Sequence, residues 1–158
     1  MNPLGAGVDI IAVSRMRDIL ENSGRNAFLR KVYTAKEICR ADQHADPVAF
    51  LARIFAAKEA VFKTFCIPAT KEVQFRDIEI CEGAFGQPLV ELSGYFAGLA
   101  RERGVRQVLL SISYDGDYAI AMAVLQGMNG ICVESPMAMQ KTNKEQQNKV
   151  FPSGEAIA

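Results

Sequence analysis

Four residues in this chain are of types and in places that can do chemistry. Asp9 interrupts a short apolar run, AGVDIIA at 6–12, and Lys58, Glu59 and Lys63 fall within FLARIFAAKEAVFKTF at 50–65. A carboxylate in an apolar strand is either a solvated edge residue or a metal ligand or base. A buried charge without a partner is too costly to keep. Lys58 lies in the middle of the second stretch's apolar stripe, between Phe55 and Phe62. A lysine in that phase either snorkels out along its stem or has a task. Glu59 sits at the stripe's edge, four residues before Lys63, in the favourable order for a helical ion pair.

The elements that must position these residues are legible. The 50–65 stretch has no proline or glycine, and Leu51, Ile54, Phe55, Val61, Phe62 and Phe65 recur at helical spacing. Asp46-Pro47 ahead of it supplies an N-cap and a proline at the first helical position. The run carrying Asp9 reads as a buried strand after glycines. Ser14 is expected to cap a helix through Leu20, a shorter helical piece follows around Phe28, and Thr34-Ala35-Lys36-Glu37 has the form of a capping box. Beyond Pro68 the pattern predicts a strand over 74–82 with a slip near Arg76-Asp77, and a short strand over 88–92. A helix over 93–103 ends at Gly104. Two strands, 106–113 and 117–126, are joined as a hairpin through Tyr114-Asp115-Gly116. The fold class is α+β, an antiparallel sheet packed against a long central helix. Residues 1–127 form the domain and 128–158 a polar, mobile extension.

Composition narrows the function classes. The chain has 158 residues, enough for one domain with a real core, and its 18 basic side chains balance 18 acidic ones. That balance predicts no general affinity for nucleic acid or anionic membrane. Its four cysteines form no C-x-x-C pair and His44 is the only histidine, which points to reduced thiols in a cytoplasmic protein and not to a zinc site. The N-terminus lacks a basic start followed by a long apolar run, so no signal peptide is expected. Residues 15–31 carry Arg15, Arg17, Arg25, Arg30 and Lys31 against only Asp18 and Glu21. Such a basic stretch is either a solvated face or a surface that steers an acidic partner.

Four pieces in this order resemble the holo-acyl-carrier-protein synthase family of phosphopantetheinyl transferases: G-V-D-I-I at 7–11, F-A-A-K-E-A-V-F-K at 55–63, F-R-D-I-E-I followed by G-Q-P at 75–88, and S-I-S-Y-D-G-D-Y-A-I-A at 111–121. The resemblance implies a transferase that moves the phosphopantetheine arm of coenzyme A onto a serine of an apo acyl carrier protein. It uses Mg²⁺ and releases 3′,5′-ADP. By similarity Asp9 and Glu59 hold the magnesium, and Asp9, Glu59 and Lys63 are the catalytic set. Lys58 and Lys63 are implied as phosphate-facing cations, with Arg53, Phe55, Gly86, Pro88 and Tyr114 as further coenzyme A contacts. Arg15 and Arg17 are implied to meet the carrier protein. The serine's proton acceptor stays open among Lys63, Glu59 and a metal-held water. The family also implies a homotrimer with sites shared between subunits.

The sequence departs from the family at some cations. Ile54 stands where arginine commonly precedes F-A-A-K-E-A, and Arg53 is one residue earlier, a rotation of roughly 100°. Gln87 replaces the lysine of G-K-P, Tyr114 stands where many members have histidine, and the loop at 44–47 carries little positive charge. Each lost cation–phosphate bond costs on the order of 1.5–3 kcal/mol. The acids and both lysines remain, which favours a working enzyme. The alternative is a non-catalytic relative that grips a carrier protein or nucleotide without transferring anything.

Overall fold

A computed structural model describes residues 2–68 and 72–127. In chain order the elements are β1 (Asn2–Ala12), α1 (Val13–Glu21), α2 (Arg25–Val32), α3 (Ala35–Asp42), α4 (Pro47–Thr64), a 3₁₀ turn (Phe75–Asp77), β2 (Ile78–Glu82), β3 (Pro88–Leu92), α5 (Gly94–Glu102), β4 (Val105–Asp115) and β5 (Tyr118–Gly127). An antiparallel sheet in the order β1-β5-β4 packs on α4, and β2 and β3 form a separate antiparallel pair. The chain is α+β, as its pattern indicates.

α4 starts where its sequence says it should. The Asp46 carboxylate accepts the Ala49 N–H at 3.0 Å, and Pro47 takes the first turn, where a missing N–H costs nothing. Small residues then let the helix sit close to the sheet. Ala52, Ala56, Ala57 and Ala60 of α4 and Ala119, Ala121 and Ala123 of β5 are all buried. β1 comes closer still. A Cβ at Gly5 or Gly7 would strike the carbonyl oxygens of Thr64 or Ala60, so only glycine permits this approach. Asp9, two residues after Gly7, is thereby laid along the same helix.

Three local expectations are corrected. α1 begins at Val13 with Ala12 as its N-cap and no side-chain cap from Ser14; its entry is held by Val13 N–H donating to Asp117 O at 2.8 Å. Residues 75–77 form a 3₁₀ turn and not the start of β2, because Asp77 serves α5. Its backbone oxygen accepts Ser93 N–H at 2.8 Å, and its carboxylate accepts Tyr95 N–H at 3.1 Å. The β4–β5 loop falls at Gly116-Asp117, with Gly116 at φ +44°. The expected extension over 128–158 lies outside the described residues. Among the described residues, no helix is long and apolar enough to cross a membrane.

Candidate active site

Asp9, Glu59, Lys63 and Arg15 meet at one corner, where β1 crosses the C-terminal half of α4. Lys63 donates from Nζ to Asp9 Oδ1 at 2.7 Å and to Val8 O at 3.1 Å. The Asp9 side chain is 15% exposed and that of Lys63 48%. Glu59 faces the same group. Burial pushes its carboxyl above the ordinary carboxylate value and Asp9's negative charge adds to this, while Lys63 and Arg15 pull it back. Two acids close enough to repel, with a cation on one of them, form a donor set of hard oxygens that suits a divalent ion. Asp9 is therefore no solvated edge residue.

Lys58 corrects an expectation. Its side chain is fully buried, and its ammonium donates to Glu37 Oε2 at 2.8 Å, Ile78 O at 2.6 Å and Phe75 O at 3.1 Å. An ammonium has three donors, and all three are engaged inside the fold, so none is left for a phosphate. Burial lowers its pKa from the usual lysine value, and Glu37 opposes that shift. The Phe55 ring packs 6.0 Å from that of Phe28, and Phe55 is not among the residues lining the cavity described next.

A cavity of about 380 Å³ opens between the first half of α4, α3, the β2–β3 hairpin and β4. Of the sequence-derived contacts, Arg53, Gly86, Pro88 and Tyr114 line it. The rotation between positions 53 and 54 does not remove Arg53 from this space, since Ile54 lines it too. Arg53 is held by stacking: its guanidinium lies 5.6 Å from the centroids of both Phe50 and Tyr114. It also meets His44 Nε2 at 3.1 Å, and among the described residues no acceptor reaches its buried Nε. An unsatisfied buried guanidinium donor fits an anionic ligand.

Arg40 and His44 also line the cavity, and sequence reasoning missed both. Arg40 reaches it because Glu37, one helical turn earlier, is fixed in the interior. The Thr34–Glu37 capping box was the available signal, but it gave no hint of what else Glu37 binds. Gln87 is occupied by its own turn, where its side-chain oxygen accepts Phe85 N–H at 2.9 Å. Asp9, Glu59 and Lys63 do not line the cavity, so within one chain the acidic corner and the cavity are separate. Arg15 and Arg17 are exposed on α1, with Arg15 near enough to Glu59 to act on its charge. One further acidic group, Glu79, Cys81 and Glu91, lies on β2 and β3. There Lys36 pairs with Glu79 at 3.0 Å and the Cys81 thiol is pushed up to about 11 by burial and acidic neighbours, which marks a surface cluster.

The sequence matches the ACPS family, described as the 4'-phosphopantetheinyl transferase superfamily, over residues 5–123. A holo-[acyl-carrier-protein] synthase of Verminephrobacter eiseniae is 43% identical over 120 residues, covering 75% of this chain and 90% of that protein. Among solved structures, the holo-[acyl-carrier-protein] synthase of Neisseria meningitidis superposes with a TM-score of 0.72 at 31% identity, covering 79% of this chain and 99% of that one. An ACPS–CoA complex from Chronobacterium ammoniagenes gives 0.67 at 29% identity, covering 79% and 98%.

Proposed function

Since the chain belongs to the 4'-phosphopantetheinyl transferase superfamily, we propose that it transfers the phosphopantetheine arm of coenzyme A to a serine of an apo acyl carrier protein. The observation that carries this reading is the corner itself: Asp9 and Glu59, from distant parts of the chain, face one another with Lys63 between strand and helix. The serine oxygen forms a bond to the phosphorus attached to the pantetheine. The bond from that phosphorus to the bridging oxygen breaks, and 3′,5′-ADP leaves with the electron pair.

Each residue at the corner has a part in this step. Asp9 and Glu59 are the residues that would hold Mg²⁺, which would supply charge neutralisation on the diphosphate being cleaved. Lys63 is half exposed, so its ammonium can swing to a phosphate oxygen and keep its stem on α4. The serine proton is proposed to pass to Glu59 or to a water beside it, since Lys63 already donates to Asp9. Arg53 and Arg40 give the cavity the cationic character that Ile54 and Gln87 do not, which suits the phosphorylated nucleotide end of coenzyme A.

Our reading includes a homotrimer. The outer face of the β1-β5-β4 sheet exposes Val8 (56%), Ile10 (59%) and Met122 (53%) side by side, with Ile120 and Leu109 close by. An apolar sheet face of this kind is what subunit contact would cover. A contact that brings one subunit's cavity to the next subunit's acidic corner would complete the site. Arg15, exposed beside the corner, and Arg17, exposed on the same helix, are proposed to receive the acidic carrier protein. A cytoplasmic setting accords with the free thiols of Cys39, Cys66 and Cys81.

The test is an intact-mass measurement on apo acyl carrier proteins incubated with the protein, coenzyme A and Mg²⁺. At least one carrier is expected to gain the phosphopantetheine increment. Coenzyme A binding without any increment would instead favour the non-catalytic module.

A further inference from the structure

Among the described residues, β2 pairs with β3 on one edge and with no strand on the other. An unpaired strand edge inside a protein must still satisfy its backbone groups. Here three side chains do so. Lys58 donates to Ile78 O at 2.6 Å, Glu37 Oε1 accepts Ile80 N–H at 2.8 Å, and Arg40 donates to Ile80 O. Alternate residues of a strand point their backbone groups to the same side, so Ile78 and Ile80 present one continuous edge to these side chains. Glu37 Oε2 meanwhile accepts Thr34 N–H at 2.8 Å and pairs with Lys58 at 2.8 Å, which ties the start of α3 to α4.

A buried ion pair is a weak source of stability, because an apolar pair of similar volume often does as well. This pair does something that an apolar pair could not. The hairpin it fastens carries Ile80, Cys81, Glu82, Gly86 and Pro88 into the cavity wall, and the helix it fastens carries Arg40 there. Arg40 in turn lies 5.5 Å from the ring of Phe50 on α4, which also lines the cavity. Resting on the reading that this cavity takes coenzyme A, we propose that Glu37 and Lys58 are positioning residues. Their buried pair takes the place of a missing strand beside β2 and thereby sets the width of the coenzyme A cavity. Neither touches the ligand.

The experiment compares coenzyme A binding and transfer kinetics for the wild type, Lys58→Met and the double variant Glu37→Met/Lys58→Met. The single variant strands a buried carboxylate and is expected to melt lower. The double variant leaves no stranded charge but unpairs the Ile78 carbonyl and the Ile80 N–H, and is expected to melt between the single variant and the wild type. Both are expected to raise KM and Kd for coenzyme A about tenfold, with kcat and KM for the carrier within about twofold. A purely structural role predicts that coenzyme A affinity recovers in step with the melting temperature from the single to the double variant, and that result would overturn the proposal. No coenzyme A binding by the wild type would instead remove the cavity assignment, and this proposal with it. Hydrogen exchange needs no variant: a latch that sets the cavity must be stabilised by what the cavity binds. Coenzyme A is therefore expected to slow exchange of the Ile80 amide, and an unchanged rate there would also count as refutation.

Discussion

Lys58 and Lys63 lie on the same helix, and their surroundings could hardly differ more. Lys58 points into the interior, where Glu37 and two carbonyl oxygens consume every donor it has. Lys63 emerges at the acidic corner, half exposed, on the single carboxylate oxygen of Asp9 and a strand carbonyl. Two identical side chains in one short motif thus have different settings, one locked into the architecture and the other half exposed at the acidic corner. A lysine's role follows from where its helix face is turned and what is left unbonded there, not from its membership in a motif.

The comparison can be broken by experiment, and the largest effect is expected on the inner face. Lys58→Met should lower unfolding stability by about 3–5 kcal/mol, because Glu37 is left charged and buried without its partner; chemical denaturation reads this directly. A loss under 1 kcal/mol would mean the pair is not the anchor described. At the outer corner the expected loss is in rate. Asp9→Ala and Glu59→Ala should each slow transfer roughly 10²–10³-fold, as removal of a group that manages transition-state charge does, with little change in melting temperature. Lys63→Met should cost about 1 kcal/mol of stability or less, since exposed pairs contribute little, yet slow transfer at least about tenfold. If it proved as destabilising as Lys58→Met, the division of the helix into two faces would fail.

Smaller effects sharpen the picture. Arg15→Glu should raise KM for the carrier severalfold and leave KM for coenzyme A nearly unchanged; equal rises would place Arg15 in the nucleotide site. Cys66 closes α4 at φ +44°, a left-handed conformation that costs a residue with a Cβ roughly 1–2 kcal/mol. Cys66→Gly should therefore stabilise the fold by about 1 kcal/mol without altering transfer.

Much of this arrangement was legible in the sequence, and the reasons are physical. Cap, proline and apolar period define α4 because these are local signals that tertiary structure did not override. Asp9 stood out because a carboxylate is expensive in an apolar strand. The phosphate-facing role of Lys58 is implied by the resemblance alone; stripe periodicity reports that a position is buried and cannot report which distant groups wait there. Glu37, which claims it, lies in another helix and gave only a capping signal. The resemblance implies Phe55 as a ligand contact by its place in F-A-A-K-E-A, and no local signal announces that its ring also packs against Phe28. Arg40 and His44 were missed because the cavity forms between elements far apart in the chain. Residues 75–77 read as strand until Asp77's task at the start of α5 became visible.

The central claim is that Asp9 and Glu59 act as one cation site. Calorimetric titration of Mg²⁺ into the metal-free protein with coenzyme A present tests it most directly. Wild-type protein is expected to bind one ion per chain, and Asp9→Ala and Glu59→Ala each to lose that binding. Undiminished Mg²⁺ affinity in either variant would contradict the account.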